Sequence, residues 1–433
     1  MASTSVDNLC LWSERAVSGT APRRYGPFLV LVLCLLAAVP ASAQEVTATF
    51  HPQKPVYLLG EPIWFVFQVT NKGDVPVHIE YSNPYGVCAF GGGYWFDVAG
   101  AMPTGPWRCG YGASCAGGGS KSLAPGATYA QRLLLNQWFC IDHSGEYRVD
   151  ASRDLHFGTR TDKFGMLVTP EIRSFRTQFE ISVIRGKEDD VEKTFAPYLK
   201  NLASPDFDLR IEAVETITAL APPFLEKTIM ALANGADSSA RSRAIPALGR
   251  LNTTESRRVL ARLIEDHQPD YSWQAIDALA RTGDRTYLPL LEELARDPAW
   301  QNVAIPAVGT LGGEEAVSFL APLVHYPLGP PNEPPVQSLA IGGLANTRSG
   351  KAVPYLIEAL RNFLVQREAV NGLEQLTHFA IHEGKSGHWL YTEDEKTTDR
   401  MAKRWRRWWK ANGKNAKLYG PDDCTISPAE LPE

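Results

Sequence analysis

From residue 208 to 378 the apolar positions follow a helical period, and the pattern repeats. Six copies align on a small residue: Ala213, Ala244, Ala275, Ala304, Ala340 and Ala369. A β-branched aliphatic follows each one, and another aliphatic stands four residues after it: Ile217, Leu248, Leu279, Val308, Leu344 and Leu373. Positions 0, +1 and +4 share one face of a helix. A slot kept at alanine predicts two helices in close approach. The copies are spaced by 31, 31, 29, 36 and 29 residues, a period that predicts a stacked array. Between copies a second amphipathic helix is expected, over 224–233, 254–265, 287–296, 314–324 and 352–361, with a lead-in helix over 191–202. Pro246 and Pro306 sit two residues past their alanines, where a proline predicts a kink.

The pattern before residue 187 is different. Ile63, Phe65, Phe67 and Val69 alternate with a mixed face, and after the turn at 71–74 Val75, Val77, Ile79 and Tyr81 alternate again. Residues 145–151 and 179–183 do the same. Period-two segments with Gly/Pro punctuation predict short strands in a two-sheet sandwich. The expected organisation is a signal peptide at 1–43, a β-sandwich domain at 44–186 and an α-solenoid at 187–380. A Trp-rich cap at 381–416 and a disordered tail at 417–433 complete it. The fold class is thus multidomain, an all-β sandwich followed by an all-α solenoid of helical repeats.

The leader and the cysteines point to one compartment. Arg23-Arg24, an apolar run over 28–39 and Ala41-Ser-Ala43 form an export signal, with cleavage expected before Gln44. The run is short for a membrane span, so no transmembrane segment is expected after cleavage. Sec and twin-arginine export both remain open, as do periplasm and extracellular space. Cys88, Cys109, Cys115 and Cys140 cluster in one segment and are disulfide candidates, with three possible pairings. Cys424 stands apart in the tail. The net charge of −5 gives no electrostatic case for nucleic-acid binding.

Two resemblances follow from particular phrases. Tyr57-Leu-Leu-Gly-Glu-Pro62, Leu123-Ala-Pro-Gly126 and Gly145-Glu-Tyr147 look like those of exported bacterial immunoglobulin-like domains, which implies an adhesive or spacing module. Residues 202–214 and 239–249 resemble HEAT repeats, in particular the short variety named after phycobilisome lyases. Arg210 and Arg241, three before the alanine, match the arginine that this variety favours. Later copies carry Ser272, Gln301, Gln337 and Gln366 there, where a glutamine amide can bond interhelix carbonyls. The C-terminal segment resembles the Leu-Thr…Trp-x-x-Trp-Trp endings of exported HEAT proteins.

Candidate chemistry is sparse. His378 and His382 stand at i, i+4 with His388 nearby, but Phe379 replaces the glutamate of a zinc-protease motif. No phosphate loop or nucleophile elbow is present, so no catalytic residue, metal or cofactor is expected. Residues 84–120 hold many aromatics among glycines, and Tyr94, Trp95, Trp107 and Tyr111 are the candidate binding residues there. Tyr94 to Val98 also alternates like a strand, so packing is the competing role for these rings. Near the C-terminus Met401, Trp405, Trp408 and Trp409 form one helical stripe among basic residues. It reads as a cap on the last repeat, with a basic amphipathic helix on an anionic surface as the rival. The function expected is a non-catalytic exported scaffold that binds another protein. Envelope polysaccharide bound at 84–120 is the alternative, and an enzyme with an interdomain site a second one.

Overall fold

A computed structural model describes residues 45–82, 94–103, 118–163, 167–268, 271–326, 335–381 and 394–420. The leader, Cys10, Cys34, Cys88, Trp107, Cys109, Tyr111, Cys115, His382, His388 and Cys424 lie outside them.

The described residues between 46 and 184 form eleven strands: β1 (Val46–Pro52), β2 (Val56–Leu58), β3 (Trp64–Asn71), β4 (Val77–Ser82), β5 (Tyr94–Val98), β6 (Met102–Pro103), β7 (Gly118–Leu123), β8 (Thr128–Leu134), β9 (Phe139–Cys140), β10 (Gly145–Gly158) and β11 (Glu171–Ile184). One sheet runs β1-β3-β8. The other runs β2-β11-β10-β4-β7, with β5 also on β10, and β6 pairs with β9. All pairs are antiparallel except β2 with β11. The alternation in the sequence is the cause: Phe65, Phe67 and Val69 of β3 face Val149, Leu155 and Phe157 of β10 across one core. The two sheets enclose this core as an open sandwich.

Residues 188–412 are helical. α1 (Glu188–Asn201) leads in. The alanine-marked helices are α2 (Phe207–Leu220), α4 (Ser238–Leu251), α6 (Ser272–Arg281), α8 (Gln301–Leu311), α10 (Val336–Asn346) and α12 (Gln366–Thr377). Between them lie α3 (Glu226–Asn234), α5 (Thr254–Glu265), α7 (Leu288–Arg296), α9 (Glu314–Leu320) and α11 (Val353–Ala359), and α13 (Glu395–Asn412) closes the chain. Several of the intervening helices are shorter than the periodicity predicts, because a 3-10 turn takes one end. Pro223–Leu225 and Arg285–Tyr287 precede α3 and α7, and Ala321–His325 follows α9. Asp206 and Asp237 cap α2 and α4 by accepting two backbone N–H bonds each. Both prolines lie inside continuous helices, Pro246 in α4 and Pro306 in α8.

All six marker alanines are fully buried. Their helices stack directly on one another, whereas the intervening helices barely touch from repeat to repeat. Closer spacing on one side bends the array, so the marker helices form its inner layer.

Candidate functional site

The inner layer is held by three sets of positions. The first is the slot three residues before the alanine. Arg210 Nη1 donates to the Ser204 carbonyl at 2.7 Å, and Arg241 donates to the Gly235 carbonyl. Ser272 Oγ donates to the Leu263 carbonyl at 2.9 Å. Gln337 Nε2 reaches the Tyr326 carbonyl at 2.6 Å and Gln366 Nε2 the Leu360 carbonyl at 2.9 Å. Arginine, serine and glutamine therefore do one job, satisfying a carbonyl that the preceding helix or turn leaves open. The second set, three after the alanine, is small: Ala247, Ala278, Ala307, Gly343 and Gly372, all buried. It lets neighbouring helices approach. A Cβ on Gly309 would lie 2.0 Å from the Gly343 carbonyl oxygen, so α8 and α10 meet backbone to backbone.

The third set, at −2, +2 and +6, forms the open face. In α6 it is Trp273, Asp277 and Arg281. Trp273 is 47% exposed, and Arg281 Nε pairs with Asp277 at 2.9 Å. In α8 it is Asn302, Pro306 and Thr310, and in α10 Ser338, Gly342 and Asn346. The middle positions Pro246, Pro306 and Gly342 are short and leave a shallow centre. At the +6 edge a polar ladder crosses three helices. Asn346 Nδ2 donates to Thr310 Oγ1 at 3.4 Å, and Gln375 Nε2 donates to Asn346 Oδ1 at 2.9 Å.

The β region walls off one end of this face. Arg132 of β8 pairs with Glu212 of α2 at 2.5 Å and stacks over the Trp64 ring at 4.3 Å. Trp64 Nε1 donates to the Tyr198 hydroxyl of α1 at 2.8 Å. Glu215, at the +2 position of α2, accepts from Gln137 and from Arg243 of α4. Burial pushes the Glu215 carboxyl above the usual carboxylate range, against the opposing pull of Arg243. These are positioning contacts between two regions.

The other sequence candidates fall as follows. Tyr94 is in the sandwich core. Its hydroxyl donates to Gln131 Oε1 at 2.6 Å, and its ring lies under the buried Arg153 guanidinium at 4.3 Å. Burial raises its pKa. Tyr94 is 7% exposed and packs in the core, which matches the competing packing role. Trp95, on the other side of the same strand, is 59% exposed. Cys140 is exposed on β9 opposite Met102. His378 ends α12 in a left-handed conformation and stacks on Tyr419 at 3.4 Å. Among the described residues no group of His, Cys, Asp and Glu could hold a metal ion. Trp405 is fully buried, while Trp408 and Trp409 pack partly buried against the last repeat. No described helix is long and apolar enough to cross a membrane.

Residues 225–312 match the family described as HEAT repeats. No curated protein matches the chain. Among solved structures, human deoxyhypusine hydroxylase in complex with glycerol is 16% identical with a TM-score of 0.24, over 51% of this chain and 97% of that one. Escherichia coli alpha-2-macroglobulin activated by porcine elastase is 12% identical with a TM-score of 0.20, over 83% of this chain and 37% of that one. Salmonella alpha-2-macroglobulin reacted with methylamine is 13% identical with a TM-score of 0.18, over 83% and 27%.

Proposed function

We propose that this chain is a non-catalytic scaffold, exported on the strength of its leader, that holds an extended protein partner on the open face of α4 to α12. The observation that carries this reading is the continuous inner layer itself. HEAT repeats characteristically mediate protein binding, and here five equivalent helices, α4, α6, α8, α10 and α12, present one face with a shallow centre. Trp273 supplies an exposed aromatic anchor, and the ladder Thr310–Asn346–Gln375 supplies polar groups at the edge. The β region closes the first-repeat end and sets where a bound segment must stop.

The test is affinity capture from the native envelope with two surface variants. Trp273→Ala on the open face should weaken retention of a protein partner by on the order of 30-fold. Tyr355→Ala, on the outer helix α11 and 36% exposed, should leave it unchanged. Loss with the outer variant and retention with the inner one would sink the proposal.

A further inference from the structure

The last helix carries a charge distribution unlike the rest of the molecule. The chain is acidic overall, yet from Arg400 to Gly420 it contains eight Lys and Arg and no Asp or Glu. On α13, Met401, Ala402 and Trp405 are buried against the array. The opposite side exposes Lys403, Arg406, Arg407, Lys410 and Lys414. Lys403, Arg407 and Lys410 fall at i, i+4 and i+7, so they form one stripe about 10 Å long, and Lys414 lies just past the end of the helix. The acids of the helix are confined to its first turns, where Asp399 is bound by Arg361 at 2.8 Å.

We propose that this face docks the protein on an anionic membrane surface, by contacts to phospholipid headgroups and without insertion of the helix. Insertion is ruled out by packing: the apolar side that a bilayer would take is already spent on the last repeat. Charge then supplies the main attraction, and each cation near an anionic leaflet strengthens binding by roughly fivefold at moderate salt. The acidic remainder of the chain matters little, since screening confines the attraction to about 10 Å. A single-stranded nucleic acid or a polysaccharide that binds by stacking would find the ring faces occupied. Trp408 stacks on Phe379 at 4.3 Å and 10°, and the Trp409 ring lies against Gly350 and Gly413. Half-buried indoles beside a cationic stripe suit the headgroup region. On the same terminal repeat, Phe363 and Leu364 stand 46% and 56% exposed and offer shallow apolar contacts.

The experiment is vesicle co-sedimentation of the full chain, with phosphatidylcholine alone or with about a third phosphatidylglycerol. Binding to the anionic vesicles only, lost at high salt, is the expected result. The triple variant Lys403→Gln, Arg407→Gln, Lys410→Gln should bind on the order of 100-fold more weakly with unchanged circular dichroism. Equal binding to neutral vesicles, or no effect of the variant, assigns the interaction to the apolar leader and overturns the proposal. Capture by heparin through the same residues without vesicle binding makes the face a polyanion site and overturns it too. So does vesicle binding that requires removal of residues 421–433. That tail holds four acids and no base, and would then be the face's own occupant.

Discussion

The residues that decide this architecture are small or polar, and their roles come from neighbours in space. Gly309 permits backbone contact between α8 and α10, whereas Gly342, one helix on, has nothing within 4 Å of its would-be Cβ. Gly309→Ala must push the helices apart and should cost about 1 to 3 kcal/mol or more. Gly342→Ala should be neutral or stabilise by about 1 kcal/mol through helix propensity. Denaturant unfolding followed by circular dichroism checks both, and equal effects would refute the close approach. The alanine column was legible from the sequence because it recurs at fixed helical offsets. The glycine contact was not, since Gly309 and Gly343 occupy different offsets from their alanines. The polar slot was largely legible: its position shows as Arg210 and Arg241, and a glutamine there is expected to bond an interhelix carbonyl, as Gln337 and Gln366 do; only the fold reveals that Ser272 does the equivalent job.

At the scale of elements, α13 is the decisive case. Its stripe Met401, Trp405, Trp408 and Trp409 predicts a helix, and a helix is present. Amphipathicity alone leaves two partners open, a bilayer or the last repeat. Packing chooses the repeat, because Trp405 is fully buried against the array. Trp405→Ala should therefore cost about 3 to 5 kcal/mol. The loss should be local, with α12 and α13 cut early in limited proteolysis while the sandwich stays intact. Uniform cleavage across both regions would contradict a cap. Strands were legible by alternation, but their lengths were not. β10 and β11 each run fourteen residues, well past the alternating segments, because each completes the other's backbone hydrogen bonds.

At the scale of the whole molecule, the junction sets how the two regions act together. Glu215 is buried there, so its carboxyl holds its proton more tightly in the folded state than the ordinary value of 4.5. The folded form then binds more protons than the unfolded chain as pH rises past that value. Stability from this group is complete below pH 4.5 and falls as pH rises through the folded-state value. Glu215→Gln should remove that slope, read as a flatter dependence of the urea midpoint as pH rises above 4.5. An unchanged slope would mean that Arg243 and Gln137 outweigh burial. By itself, the sequence determined what depends on periodicity along the chain: strands before residue 187, stacked helix pairs after it, and an amphipathic helix near the end. It could not determine which exposed-looking residues meet across a distance. Trp64 alternates onto the mixed face of β3, away from the sandwich core, yet it is buried because α1 covers it, and Arg132 meets Glu212, as Gln137 meets Glu215, only when the array folds against the sheet. Those contacts join residues about eighty or more positions apart, and no local pattern encodes them. The tertiary structure alone decides that the open face is walled at its first repeat.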